Sequence, residues 1–124
     1  MKIALIIGLG GFFGSIGRYL ASKYIQQAVP VIFPYGTLTV NILGSFLIGI
    51  IFGIAAKGTL LSAEWRMFLA VGFCGGFTTF SSFSNDSLNL LRDGQIFQFL
   101  MYGGMSVFLG LFAVYLGYLL AKTI

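Results

Sequence analysis

The chain has 124 residues, of which 58% are hydrophobic, 17% aromatic and only 8% charged, with a formal net charge of +4. Soluble domains carry about 25% charged residues, so these few charges cannot coat a water-soluble enzyme. With no histidine and one cysteine, Cys74, the chain excludes a His-ligated metal, a Ser-His-Asp triad and an internal disulfide, and its seven Lys/Arg stand singly rather than as a stripe for nucleic acid.

A hydrocarbon core about 30 Å thick takes roughly 20 apolar residues of helix. Four stretches qualify: about Ile3 to Ile25, Tyr35 to Ala56, Met67 to Leu91, and Ile96 to Leu120. The reading is an all-α membrane protein, a single four-span domain over residues 1–124. Its connections are short: Gln26 to Pro34, Lys57 to Arg66, and Arg92 to Gln95.

The first stretch imitates two other things. Lys2 and the apolar run after it resemble a signal peptide, but the run continues past any cleavage-like site and holds Arg18 beyond it. The segment IALIIGLGGFFG imitates a dinucleotide-binding turn, yet Phe13 stands where the third Gly belongs, and the next acid is Glu64. Arg18 itself has three readings open. It snorkels to the interface, it attracts anions in a vestibule, or it satisfies the carbonyls of a broken helix.

In the second stretch Thr37, Asn41 and Ser45 recur at i, i+4 and i+8, a polar stripe on one helix face. Asn41 is either glue between helices or a donor facing a path. The third stretch carries GFCGGFTTFSSFSND from Gly72 to Asp86, rich in poor helix formers, which predicts a break near Gly75 to Thr79. Irregular backbone at membrane depth survives only in protein or beside a cavity. A break exposes carbonyls, and two chains paired about a dyad there suit a small cation such as Na⁺; the alternative is a kink capped by hydroxyls. Phe80 and Phe83 share one face beyond it, as core packing or as ring edges, which are electropositive. In the fourth stretch Tyr102 and Ser106 put two hydroxyls on one face.

Intramembrane polar groups mark function by default. Spans one, two and four contain no Asp or Glu, and Asp86 falls towards one end of the third. A proton-coupled cation exporter of this size needs a membrane carboxylate in its first span, and this chain has none there. A membrane scaffold explains the small-xxx-small pairs Gly10/Gly14, Gly49/Gly53 and Gly72/Gly76, but not so many deep hydroxyls. A donor-lined route without carboxylates suits an anion. Lys2, Lys57, Arg66 and Lys122 on one side oppose Arg18, Lys23 and Arg92 on the other, so charge bias leaves open whether the chain inserts one way or both.

Three segments, GGFFGSIGRY (Gly10 to Tyr19), GTLTVNILGSFLIG (Gly36 to Gly49) and GFCGGFTTFSSFS (Gly72 to Ser84), closely resemble the Fluc/CrcB family of small fluoride channels. The resemblance implies a dual-topology, antiparallel homodimer in a bacterial plasma membrane, with two pores passively conducting F⁻ in preference to Cl⁻. It implies a pore lined by Asn41, the ring pair Phe80 and Phe83, and a polar track of Ser81, Ser82, Tyr102 and Ser106. It implies a central Na⁺ held by backbone carbonyls of Gly75 and Thr78, and it matches Arg18 to the family's Arg at the end of span one. Asp86 stands where Glu is common, and Gly110, one turn beyond Ser106, offers no hydroxyl where some relatives have one. The implied protein is no enzyme, and its partners are fluoride, the lipid bilayer and itself.

Overall fold

A computed structural model describes residues 1–58 and 61–123. The middle of the connection expected over Lys57 to Arg66, and the last residue of the domain, lie outside them. Helix α1 spans Lys2–Ala28 and α2 spans Tyr35–Ala55. The third crossing is assembled from α3 (Ala63–Arg66), a π-helical segment (Met67–Cys74), α4 (Gly75–Phe77) and α5 (Phe80–Arg92). Helix α6 spans Ile96–Lys122. Four of these helical runs are long and apolar enough to cross a membrane, including the interrupted one over Ala63–Arg92. The described residues contain no strand.

The third crossing begins earlier than hydropathy predicts. Ser62 caps it, its hydroxyl accepting the Trp65 N–H at 3.2 Å, with Glu64 in the first turn where the helix dipole favours an acid. Between α1 and α2 the chain turns over Val29 to Pro34, and Gln26 staples it there. Its Nε2 donates to the carbonyls of Val31 (3.0 Å) and Phe33 (3.1 Å), and its Oε1 accepts the Gly36 N–H at 2.9 Å.

Packing divides the crossings into two pairs. Helix α1 lies along the π segment and α4, while α2 lies along α6. Glycine makes both seams. A Cβ on Gly72 would sit 2.6 Å from the Ile7 carbonyl oxygen and 2.9 Å from Gly10 Cα, so a methyl there forces backbones apart. Gly49 and Gly117 meet the opposing backbone in the same way, at the carbonyls of Val114 and Phe46. In lipid, where burial of apolar side chains gives little drive, close backbone approach is what holds helices together. The buried side chains that cluster are correspondingly few: Leu38, Leu90 and Tyr102, flanked by Phe33, Ile42, Phe83, Phe99 and Met105, with Val40, Cys74 and Phe77 buried elsewhere. Helix α5 leaves the first pair at the break and leans on α6 instead.

Candidate functional site

The third helix stops at Thr78 and restarts at Phe80. Both threonines between its halves are extended, Thr78 at φ −93° and ψ 156°, Thr79 at φ −152° and ψ 118°. The break therefore occupies two residues at the downstream end of the predicted window, and Gly75 and Gly76 stay helical. The reason is packing. Gly76 is there because a Cβ would lie 2.7 Å from the Gly11 carbonyl oxygen of α1, not because the helix needs to end. The π segment upstream left no mark that residue types alone reveal.

Each loose end at the break has a partner. Upstream, Thr78 folds back on Cys74, its N–H at 2.9 Å and its hydroxyl at 2.8 Å from that carbonyl. Arg18 donates its Nε–H to the Gly76 carbonyl at 2.9 Å. Of its three readings the structure thus shows the third: a cation set against the carbonyl end of a helix, where the dipole is negative. Downstream, Thr79 caps α5 by accepting the Ser82 N–H at 3.0 Å, and its hydroxyl lies 3.2 Å from that of Ser81. Across the gap Asn41 clasps Thr79 twice, accepting its N–H at 2.8 Å and donating to its carbonyl at 3.1 Å. Gly44, one turn from Asn41, leaves room for the Thr78 methyl, which a Cβ would strike.

Beside the clasp lies a groove of about 320 Å³ between α2, the break, α5 and α6. Its polar lining is Asn41, Ser45, Thr78, Thr79 and Ser106, its aromatic lining Phe80 and Phe83, and no charged side chain borders it. Asn41 gives one of its two amide protons to Thr79 and keeps the other. The Ser106 hydroxyl oxygen is buried without a partner. Phe80 is 79% exposed, and its ring lies 5.7 Å from that of Phe83 at a tilt of 43°.

The structure thus brings Asn41, Thr78, Phe80, Phe83 and Ser106 together. The other expected residues sit around them. Tyr102 is fully buried, packs its ring 5.0 Å from Phe83 and gives its hydroxyl to Asp86 Oδ2 at 3.1 Å. Ser81 and Ser82 belong to the cap of α5, and Gly75 lies exposed on the outer face of α4. Two polar lining residues are additions. Ser45 was visible as the end of the α2 stripe, and Thr79 as the last residue of the predicted break. Another pocket, of about 410 Å³, is lined by Asp86 together with Tyr19, Lys23, Gln26 and Thr37.

The family model described as CrcB-like protein, Camphor Resistance (CrcB), matches residues 5–118. A protein of Thermus thermophilus named fluoride-specific ion channel FluC is 48% identical over 124 residues, covering 100% of this chain and 98% of its own. Namesakes from Flavobacterium psychrophilum, at 44% over 100% of both chains, and from Chlorobium luteolum, at 47% over 95% of this chain and 91% of its own, are similar throughout. A match of this extent, running through the glycine seams, the Asn41 clasp and the break alike, makes this four-span membrane chain a member of the CrcB family.

Proposed function

We propose that the protein is a passive fluoride-selective channel of a bacterial plasma membrane, acting as an antiparallel homodimer with two pores and lowering fluoride in the cytoplasm. The observation that carries this reading is the groove at the helix break, where uncharged N–H and O–H groups gather with no carboxylate among them. The fluoride-specific naming of its relatives supports the choice of ion.

Fluoride is small and a strong hydrogen-bond acceptor, so a path through lipid must replace its water with firm donors. Asn41 and Ser106 have protons to give, and the positive rims of Phe80 and Phe83 offer attraction without a full charge. Neutral donors hold the ion weakly enough for it to leave. Chloride, larger and a weaker acceptor, gains less from them. In acidic surroundings HF crosses lipid and dissociates in the near-neutral cytoplasm, where F⁻ is trapped; a negative interior then drives the anion out through an open path, and no coupled energy source is required.

A second copy completes the site. In one chain the groove is open at its side, with Phe80, Ser81 and Ser84 exposed midway along a membrane crossing. Hydroxyls and irregular backbone at that depth need protein or water against them. The orientation signal is weak, with Lys2, Lys57, Arg66 and Lys122 on one side against Arg18, Lys23 and Arg92 on the other, four against three. Gly75 and Thr78 suit a central Na⁺. Among the hydrogen bonds of described residues outside the helices none reaches their carbonyls, and a Cβ on Gly75 would meet nothing within 4 Å in its own chain. Two neutral carbonyls from each of two copies fit a hard monovalent cation, which when bound would supply positive charge at the seam.

The test is efflux from liposomes holding the purified protein. The expected outcome is rapid loss of F⁻ with negligible loss of Cl⁻. Equal leakage of the two ions, or no F⁻ efflux above protein-free vesicles, contradicts the proposal.

A further inference from the structure

A hydroxyl in an apolar helix ordinarily donates to the carbonyl one turn back. Thr78 does so to Cys74 and Ser87 to Phe83, each at 2.8 Å. The two serines of the groove differ. The Ser106 hydroxyl has no partner, and Ser45 enters none of the side-chain hydrogen bonds found among the described residues. Both hydroxyls keep their protons available, and both line the groove.

Ser45 follows Asn41 by four residues, so the two sit one above the other on the same face of α2, about 6 Å apart along its axis. On the facing helix, Gly110 follows Ser106 by the same interval. At that level α6 contributes no hydroxyl. A Cβ on Gly110 would have the Ser45 oxygen as its nearest neighbour, at 3.8 Å. The gap left by Gly110 is thus the space into which the Ser45 hydroxyl opens.

We propose that Ser45 is a further ion-coordinating residue, the donor that continues the anion path one turn beyond Asn41 and Ser106 where α6 offers none. The proposal rests on the channel reading above and adds to it a residue and a direction. The path runs from the clasp along α2 towards Ile48, with the donor moved from one helix to the other.

The experiment measures F⁻ efflux from liposomes for the parental chain, Ser45→Ala, Ser45→Thr and the double variant Ser45→Ala with Gly110→Ser. Loss of one donor to a charged ligand slows efflux about tenfold in Ser45→Ala. Rescue is expected when a hydroxyl returns, from α2 in Ser45→Thr or from α6 in the double variant, whose new Cβ has ordinary contact distance to fill. Parental efflux in Ser45→Ala overturns the proposal, and so does a slow Ser45→Ala, dimeric by size exclusion, that neither hydroxyl rescues, since the residue then only packs. A parental chain with no F⁻ efflux sinks the channel reading itself; a conducting parent with an unaltered Ser45→Ala sinks only the role of Ser45.

Discussion

Asn41 commits its carboxamide oxygen and one amide proton to a single residue, Thr79, and so fixes the gap in the third crossing against α2. Its second proton remains for the groove. Asn41→Asp keeps the shape but sets a carboxylate oxygen against the Thr79 carbonyl with no proton between them. Efflux of F⁻ is expected to fall by about tenfold or more while the dimer persists on size exclusion; an unchanged rate would return Asn41 to plain helix packing. Arg18 works on the other edge of the gap. Arg18→Met removes the donor to the Gly76 carbonyl and should lower stability by about 1–3 kcal/mol, read as a drop in the thermal unfolding midpoint in detergent. An unaltered midpoint would mean that the guanidinium contributes nothing at the break. At this scale the sequence was informative about types and silent about pairings. That Asn41 was polar in a polar stripe was plain; that its partner was the backbone of a residue 38 positions away was not, because a main-chain partner has no residue type.

Among the elements, the crossings were legible because about 20 apolar residues in a row have few other uses. Their ends were less so. Helix α1 runs on to Ala28 and the third crossing starts at Ala63, since capping and the Gln26 staple, not hydropathy, set those limits. The glycines in the third crossing carried two readings, as poor helix formers and, at Gly72 and Gly76, as a small-xxx-small pair, and the structure bears out the second for these two: Gly72 lies against Gly10, and Gly76 against Gly11. The threonines, by contrast, do interrupt the helix. Gly72→Ala tests the packing role. With the Ile7 carbonyl oxygen 2.6 Å from the new methyl, α1 and the π segment must separate, at about 1–3 kcal/mol. The thermal midpoint in detergent should fall accordingly. A rise, as expected where alanine simply replaces glycine in an open helix, would contradict the seam.

For the whole molecule, one chain leaves its most distinctive residues on its outside. Phe80 is 79% exposed, and Gly75 is exposed, with nothing of its own chain within 4 Å of where a Cβ would stand. Sequence pattern alone does not say what covers them; the proposed antiparallel partner does. Gly75→Val separates the possibilities, because a Cβ there meets nothing within 4 Å of its own chain and Val is no worse a helix former than Gly, so a single chain loses nothing in helix preference. The proposal expects dimers to dissociate to monomers in detergent, measured by light scattering on size exclusion. An undiminished dimer fraction would move Gly75 away from the interface.

What the account stands on is that a membrane path built from amide, hydroxyl and ring edge passes fluoride and little else. The reversal potential in a planar bilayer, with fluoride held in a gradient across the membrane and chloride in the opposite one, tests this most directly. A current reversing at the fluoride equilibrium potential, and unmoved when the chloride gradient is changed, is the predicted result. A reversal that follows chloride, or no current carried by the protein, would contradict it.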